Sequence, residues 1–178
     1  MRKEKEKKMS GKVTIGVDLG AKGGIAVLET ATDKRLIVLL AAPAPRDAME
    51  LRALGEKLSL YFSEYRCRAY IEHVHAMPRQ GVSSMFSFGR SVGIWEGFLG
   101  AWGVRCEYVA PQKWQKLTAP MAGLTTKDRS IRFAAAAFPN TPLVPKGARK
   151  PSDGIADALC IAYYGAKTRE AAEQEAAK

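Results

Sequence analysis

The stretch TIGVDLGAKGGIAVLE, residues 14–29, places a charged side chain, Asp18, at the end of an apolar run and follows it with a cluster of glycines. KVTIGVD (12–18) reads as a strand, the small residues at 20–24 as a turn, and GIAVLE (24–29) as a second strand returning beside the first. A carboxylate at the end of a buried strand is costly unless it meets a partner, a proton or a cation. The neighbours that Asp18 needs must come from elsewhere in the chain.

KRLIVLLA (34–41) supplies a third strand after a short turn, and connections this short favour antiparallel neighbours. Asp47 caps a helix through MELRALGEKLSLYFSEY, with apolar positions at Leu51, Leu54, Leu58 and Tyr61. CRAYIEHV is a fourth strand, residues 83–102 a long helix, and VRCEYV (104–109) a fifth strand. A helical turn follows Pro111, a helix covers 126–138, and a last helix starts near 152. The order predicts an α/β fold: a mixed five-stranded sheet, three antiparallel strands and then two parallel ones, flanked by helices. The first, fourth and fifth strands run parallel and bring their C-terminal ends together.

The net charge of +10 over 178 residues favours a polyanionic partner, nucleic acid before an anionic membrane surface. No stretch approaches the roughly 20 apolar residues of a membrane span, and the charge-dense MRKEKEKKMSGK has no secretory core. The expected organisation is a basic, disordered tail at 1–11, one folded domain at 12–168 and a C-terminal tail at 169–178. Cys67, Cys106 and Cys160 form no CxxC pair and read as buried free thiols of a reducing compartment. The expected location is the cytoplasm of a bacterial or phage-infected cell, with an organelle left open.

Three acidic pieces converge on this frame. Asp18 ends the first strand, and Glu72 lies near the end of the fourth, where open sheets collect functional groups. In PSDGIADAL, Asp153 and Asp157 are four residues apart, on one face of the last helix. Four carboxylates in one pocket would repel unless hard divalent ions bind them, and oxygen donors select Mg²⁺ or Mn²⁺. Two such ions suit a phosphodiester displacement. Gly20, Gly23 and Gly24 are expected to let the backbone pass close to a phosphate. His73 and His75 lack zinc spacing and read as pocket-edge or structural.

GVDLGAKGGIAVLE, AYIEHV and GIADALCIAYYG together resemble the three acidic motifs of the RuvC-type Holliday junction resolvases, in the phage and chloroplast branch of a ribonuclease H-like superfamily. The similarity covers nearly all of residues 12–167. It implies a homodimeric, Mg²⁺-dependent endonuclease with no small-molecule cofactor, making paired nicks in a four-way DNA junction and leaving 5′-phosphate and 3′-hydroxyl ends. It implies Asp18, Glu72 and Asp157 as catalytic metal ligands. The family's further acid lies three residues before Asp157, where this chain has Gly154; Asp153, four before, is the substitute. Lys127 matches the lysine near the scissile phosphate, and Lys116 or Lys113 a second one.

On the long helix, Gly89, Gly93 and Gly97 recur every four residues, offset from a core stripe of Met85, Phe88, Val92, Trp95, Leu99 and Trp102. The glycine row, with Ile94 and Phe86 near it, is the expected dimer interface. In the preceding loop Arg79, Gln80, Ser83 and Ser84 are candidates for DNA backbone contacts, and Phe86 for wedging at an opened base step. Three other readings compete. A sugar kinase or actin-like ATPase would need a second such domain, for which the chain has no room. A basic module that binds nucleic acid without cutting it predicts that Asp18→Asn changes nothing. A related nuclease would act on RNA/DNA hybrids or other branched DNA.

Overall fold

In the computed structural model, residues 11–20, 22–73, 81–121 and 123–178 are described, with the backbone alone for 119–121 and 127. The opening stretch forms β1 (Lys12–Val17) and β2 (Gly24–Thr30), and β3 (Leu36–Pro43) completes an antiparallel trio. There follow α1 (Ala48–Glu64), β4 (Arg66–Glu72), α2 (Val82–Ala101), β5 (Arg105–Val109) and the short α3 (Pro111–Trp114). A 3-10 stretch (Gln115–Met121) leads to α4 (Thr126–Ala137) and α5 (Asp153–Ala176). The sheet order is β3-β2-β1-β4-β5, with β4 parallel to both β1 and β5.

The central strand β1 is covered on both sides, which is why it reads as an almost unbroken apolar run. Val13, Ile15 and Val17 face the helices α1 and α2 and pack with Leu54, Leu58, Trp95 and Leu99. On the other face, Ala26 and Leu28 of β2 pack with Ala134 of α4 and with Ile155, Leu159 and Ala162 of α5. Here α5 comes close to β1: a Cβ on Gly16 would fall within 2.9 Å of the Ala162 Cα. Local signals hold as expected. The carboxylate of Asp47 accepts from the amides of Met49 (2.9 Å) and Glu50 (2.8 Å) and starts α1.

Three details depart from the sequence reading. In α2 the core stripe is narrower: Trp95 and Leu99 are buried, whereas Met85 and Trp102, near the helix ends, are each 41% exposed. Of the cysteines only Cys160 is fully buried, and Cys67 and Cys106 are half-buried. Burial still pushes the Cys67 thiol up to about 11. The last helix does not give way to a tail at residue 169 but continues to Ala176. Arg169 is buried, and its guanidinium donates to the carbonyls of Val13 (2.8 Å) and Arg66 (3.0 Å) and to the Thr14 hydroxyl (3.3 Å). Those bonds tie the helix to the starts of β1 and β4. The N-terminal tail expected at 1–11 lies, but for Gly11, outside the described residues. Among the described residues no helix is long and apolar enough to cross a membrane.

Candidate active site

The parallel register of β1 and β4 ends on the pair Val17 and Ile71. The next residues, Asp18 just past β1 and Glu72 at the last position of β4, therefore stand side by side at the ends of adjacent strands, whose spacing is about 4.8 Å. The third carboxylate arrives with α5, and the glycines explain how. Gly23 forms an isolated parallel bridge with Gly154. A Cβ on Gly154 would strike the Lys22 carbonyl and lie 2.9 Å from the Gly23 Cα; one on Gly24 would lie 2.7 Å from the Gly154 carbonyl carbon. Gly23 and Gly24 thus meet the backbone of α5, a packing use that the sequence reading did not give them. Gly20 has another use: its N–H donates to Asp18 Oδ1 at 2.9 Å.

The same packing accounts for the acid at 153. No side chain fits at 154, three residues before Asp157, so a further carboxylate on this helix must sit elsewhere. Asp153 is the first residue of α5, half-buried behind the Ser152 cap, whose hydroxyl accepts from the Ile155 amide at 3.3 Å.

Asp18 is 9% exposed, and Glu72 and Asp157 are half-buried. Burial, and then the charges of Asp18 and Asp157, push the Glu72 carboxyl up to about 7, while a hydrogen bond from Trp114 opposes the shift. Glu72 therefore feels two of the other expected acids, Asp18 and Asp157. Among the described residues no three His, Cys, Asp or Glu side chains converge tightly enough to hold a metal ion. As the side chains stand, the four carboxylates expected to share one pocket form a looser group.

Trp114 is the site residue that the sequence reading missed. It is 1% exposed, and its indole Nε1 donates to Glu72 Oε1 at 3.3 Å. The signal was present: Pro111 starts α3 directly after β5, and an aromatic three residues on points back to the neighbouring strand end. Lys113 and Lys116 flank Trp114 and are exposed. Lys127 lies in the first turn of α4, with only its backbone described. Ser83, Ser84 and Phe86 lie exposed at the start of α2, while Arg79, Gln80 and His75 fall outside the described residues. His73 is exposed, with its ring 5.6 Å from that of Tyr108. The α2 glycines Gly89, Gly93 and Gly97 are exposed and face open space, and Ile94 is 42% exposed.

No protein-family model and no curated protein matches the sequence. Solved structures do. RuvC of T. thermophilus in complex with a Holliday junction substrate aligns with a TM-score of 0.57 at 16% identity, over 89% of this chain and 96% of that one. The Fowlpox virus resolvase, in a complex with Holliday junction DNA, gives 0.51 at 12% identity over 88% and 98%. The yeast mitochondrial Holliday junction resolvase gives 0.50 at 10% identity over 91% and 80%. Likeness at these identities shows the architecture, and the architecture is the ribonuclease H-like fold of the RuvC-type resolvases.

Proposed function

We propose that the chain is a divalent-metal-dependent endonuclease that resolves four-way DNA junctions by paired nicks, acting as a homodimer. One observation carries the reading: Asp18 and Glu72 stand at the ends of adjacent parallel strands, and α5 brings Asp157 to them, near enough that Asp18 and Asp157 help burial push the Glu72 carboxyl up. A protein gains nothing structural from gathering like charges where strand ends and a helix start meet; a cation-assisted reaction explains it. The fold is shared with proteins solved on Holliday junction DNA, and a net charge of +10 suits such a partner.

Asp18, Glu72 and Asp157 would hold Mg²⁺, or Mn²⁺ in its place, with Asp153 as a fourth donor. The donors suit such an ion in kind, being all oxygen and half-buried or buried, and closing on it would draw their side chains together. When bound, two such ions stabilise the attacking and leaving oxygens of a phosphodiester. The chain's own groups prepare the site. The Gly20 amide orients Asp18, the Trp114 indole orients Glu72, and the glycine contact fixes α5 against both. Lys127, Lys113 and Lys116 contact backbone phosphates, as do Arg79, Gln80, Ser83 and Ser84, and Phe86 stacks at the opened centre of the junction. The exposure of Phe86, at 73%, and of Val82, at 85%, supports roles at a surface that a partner covers. Gly89, Gly93, Gly97 and Ile94 join the two copies, so that two sites meet two strands.

Labelled four-way junctions and duplexes, incubated with and without Mg²⁺, test this reading. Junction-selective, Mg²⁺-dependent nicks are expected. Asp18→Asn should abolish nicking by at least about a hundredfold while keeping junction binding. Failure to cut any branched DNA overturns the proposal.

A further inference from the structure

Between α4 and α5 the chain carries three cations close together, Lys146, Arg149 and Lys150, and has no acidic residue anywhere from 129 to 152. All three are exposed, and among the described residues none has an acidic partner. Exposed cations elsewhere do: Arg35 pairs with Asp33, Arg46 with Glu50, Arg52 with Glu56 and Lys167 with Glu170. Like charges held this close repel one another, and an anion placed among them relieves the repulsion.

The loop is built to hold its shape. Its neck is closed by the Ser152 amide, which donates to the Leu143 carbonyl at 2.8 Å, and Leu143 is buried in one cluster with Ala134, Phe138 and Ile155. Its tip is a tight turn: the Ala148 amide donates to the Pro145 carbonyl at 2.9 Å, and Gly147 takes a φ of 84°, left-handed backbone that favours glycine. Pro142, Pro145 and Pro151 stiffen the chain on either side. Little backbone entropy is then left to lose when the three side chains meet a ligand. The stem runs straight into Asp153 and, one turn on, Asp157, which sets the cations beside the carboxylates.

Between Leu143 and Ser152 the loop holds no aromatic ring to stack on an unpaired base and no side-chain amide to read a base edge. Such a surface suits backbone phosphates, which a paired duplex presents on its outside. We propose that the loop 143–152 grips the phosphate backbone of a duplex arm beside the carboxylate site, whatever the base sequence. The proposal rests on the endonuclease reading above: the grip fixes the arm so that a phosphodiester reaches Asp18, Glu72 and Asp157.

Fluorescence anisotropy in EDTA tests the loop with cleavage silenced, on a labelled four-way junction and on a duplex with the sequence of one arm. The variant Lys146→Gln/Arg149→Gln/Lys150→Gln removes the three charges. Both DNAs should bind about tenfold or more weaker, by similar factors, and the salt dependence of log Kd should fall by about two phosphate contacts. The variant Lys34→Gln/Arg35→Gln/Lys178→Gln removes the same charge at the opposite end of the sheet and should leave both affinities within about twofold. Melting curves check each fold, and Arg149→Glu stands in if the loop variant unfolds. Unchanged affinity in the loop variant overturns the proposal, as do equal weakening by the distant variant and a loss confined to the junction. The endonuclease reading fails separately: a wild type that binds DNA through the loop but nicks no branched DNA with Mg²⁺ removes that reading and leaves the grip standing.

Discussion

Glu72 keeps its proton to about pH 7 in the folded protein, against 4.5 for the ordinary side chain. Between those values the folded state holds more protons than the unfolded chain, so this group's contribution to stability falls as pH rises. In EDTA the melting temperature of the wild type should therefore fall more steeply across that window than that of Glu72→Gln, and the variant should be the more stable above pH 7. Parallel melting curves would show that Glu72 is not held against Asp18 and Asp157. Trp114→Phe removes the indole donor and part of a buried side chain. A loss of about 1–3 kcal/mol in urea titration is expected, together with a higher Mg²⁺ requirement for nicking. Unchanged values of both would make the indole contact incidental. The sequence showed the acids because each sits at a strand end or on a helix face. It hid Trp114, since a tryptophan after a proline turn reads as ordinary core until its N–H finds a carboxylate.

At the level of elements, local signals carried far. Apolar runs, the Asp47 cap and the short connections placed the strands and helices within about two residues, apart from the far end of α5, and gave the parallel set β1, β4, β5. The contacts that complete the site were not legible, because they join segments far apart in the chain. Gly23 and Gly24 looked like a phosphate turn; Gly23 is held tightly within that turn and bridges Gly154, and Gly24 packs against the start of α5. Gly154→Ala tests that contact. Its methyl would press on the Lys22 carbonyl, backbone against backbone, and overpacking of this kind costs about 1–3 kcal/mol. Urea unfolding should show the loss, and nicking should fall further than stability does, because α5 carries Asp157 away from Glu72. A fully stable, fully active variant would mean that the turn yields without strain.

For the molecule as a whole, the open question is assembly. The glycine row of α2 faces space in a single chain, and mid-helix glycines cost about 1 kcal/mol each relative to alanine. A second copy packed on that row would explain them. Sedimentation of the wild type at micromolar concentration should give a dimer, and Gly93→Arg should give a monomer that melts at an unchanged temperature; a wild-type monomer would end that proposal. The far end of α5 bears on the whole molecule too. A terminal helix usually frays, but Arg169 fastens this one beneath the opposite rim of the sheet, about 36 Å of helix from first residue to last. Arg169 is thereby a keystone: amide exchange along 155–170 should report a single cooperative opening, and whatever pries it loose should also slacken the carboxylate cluster at the other end of the helix.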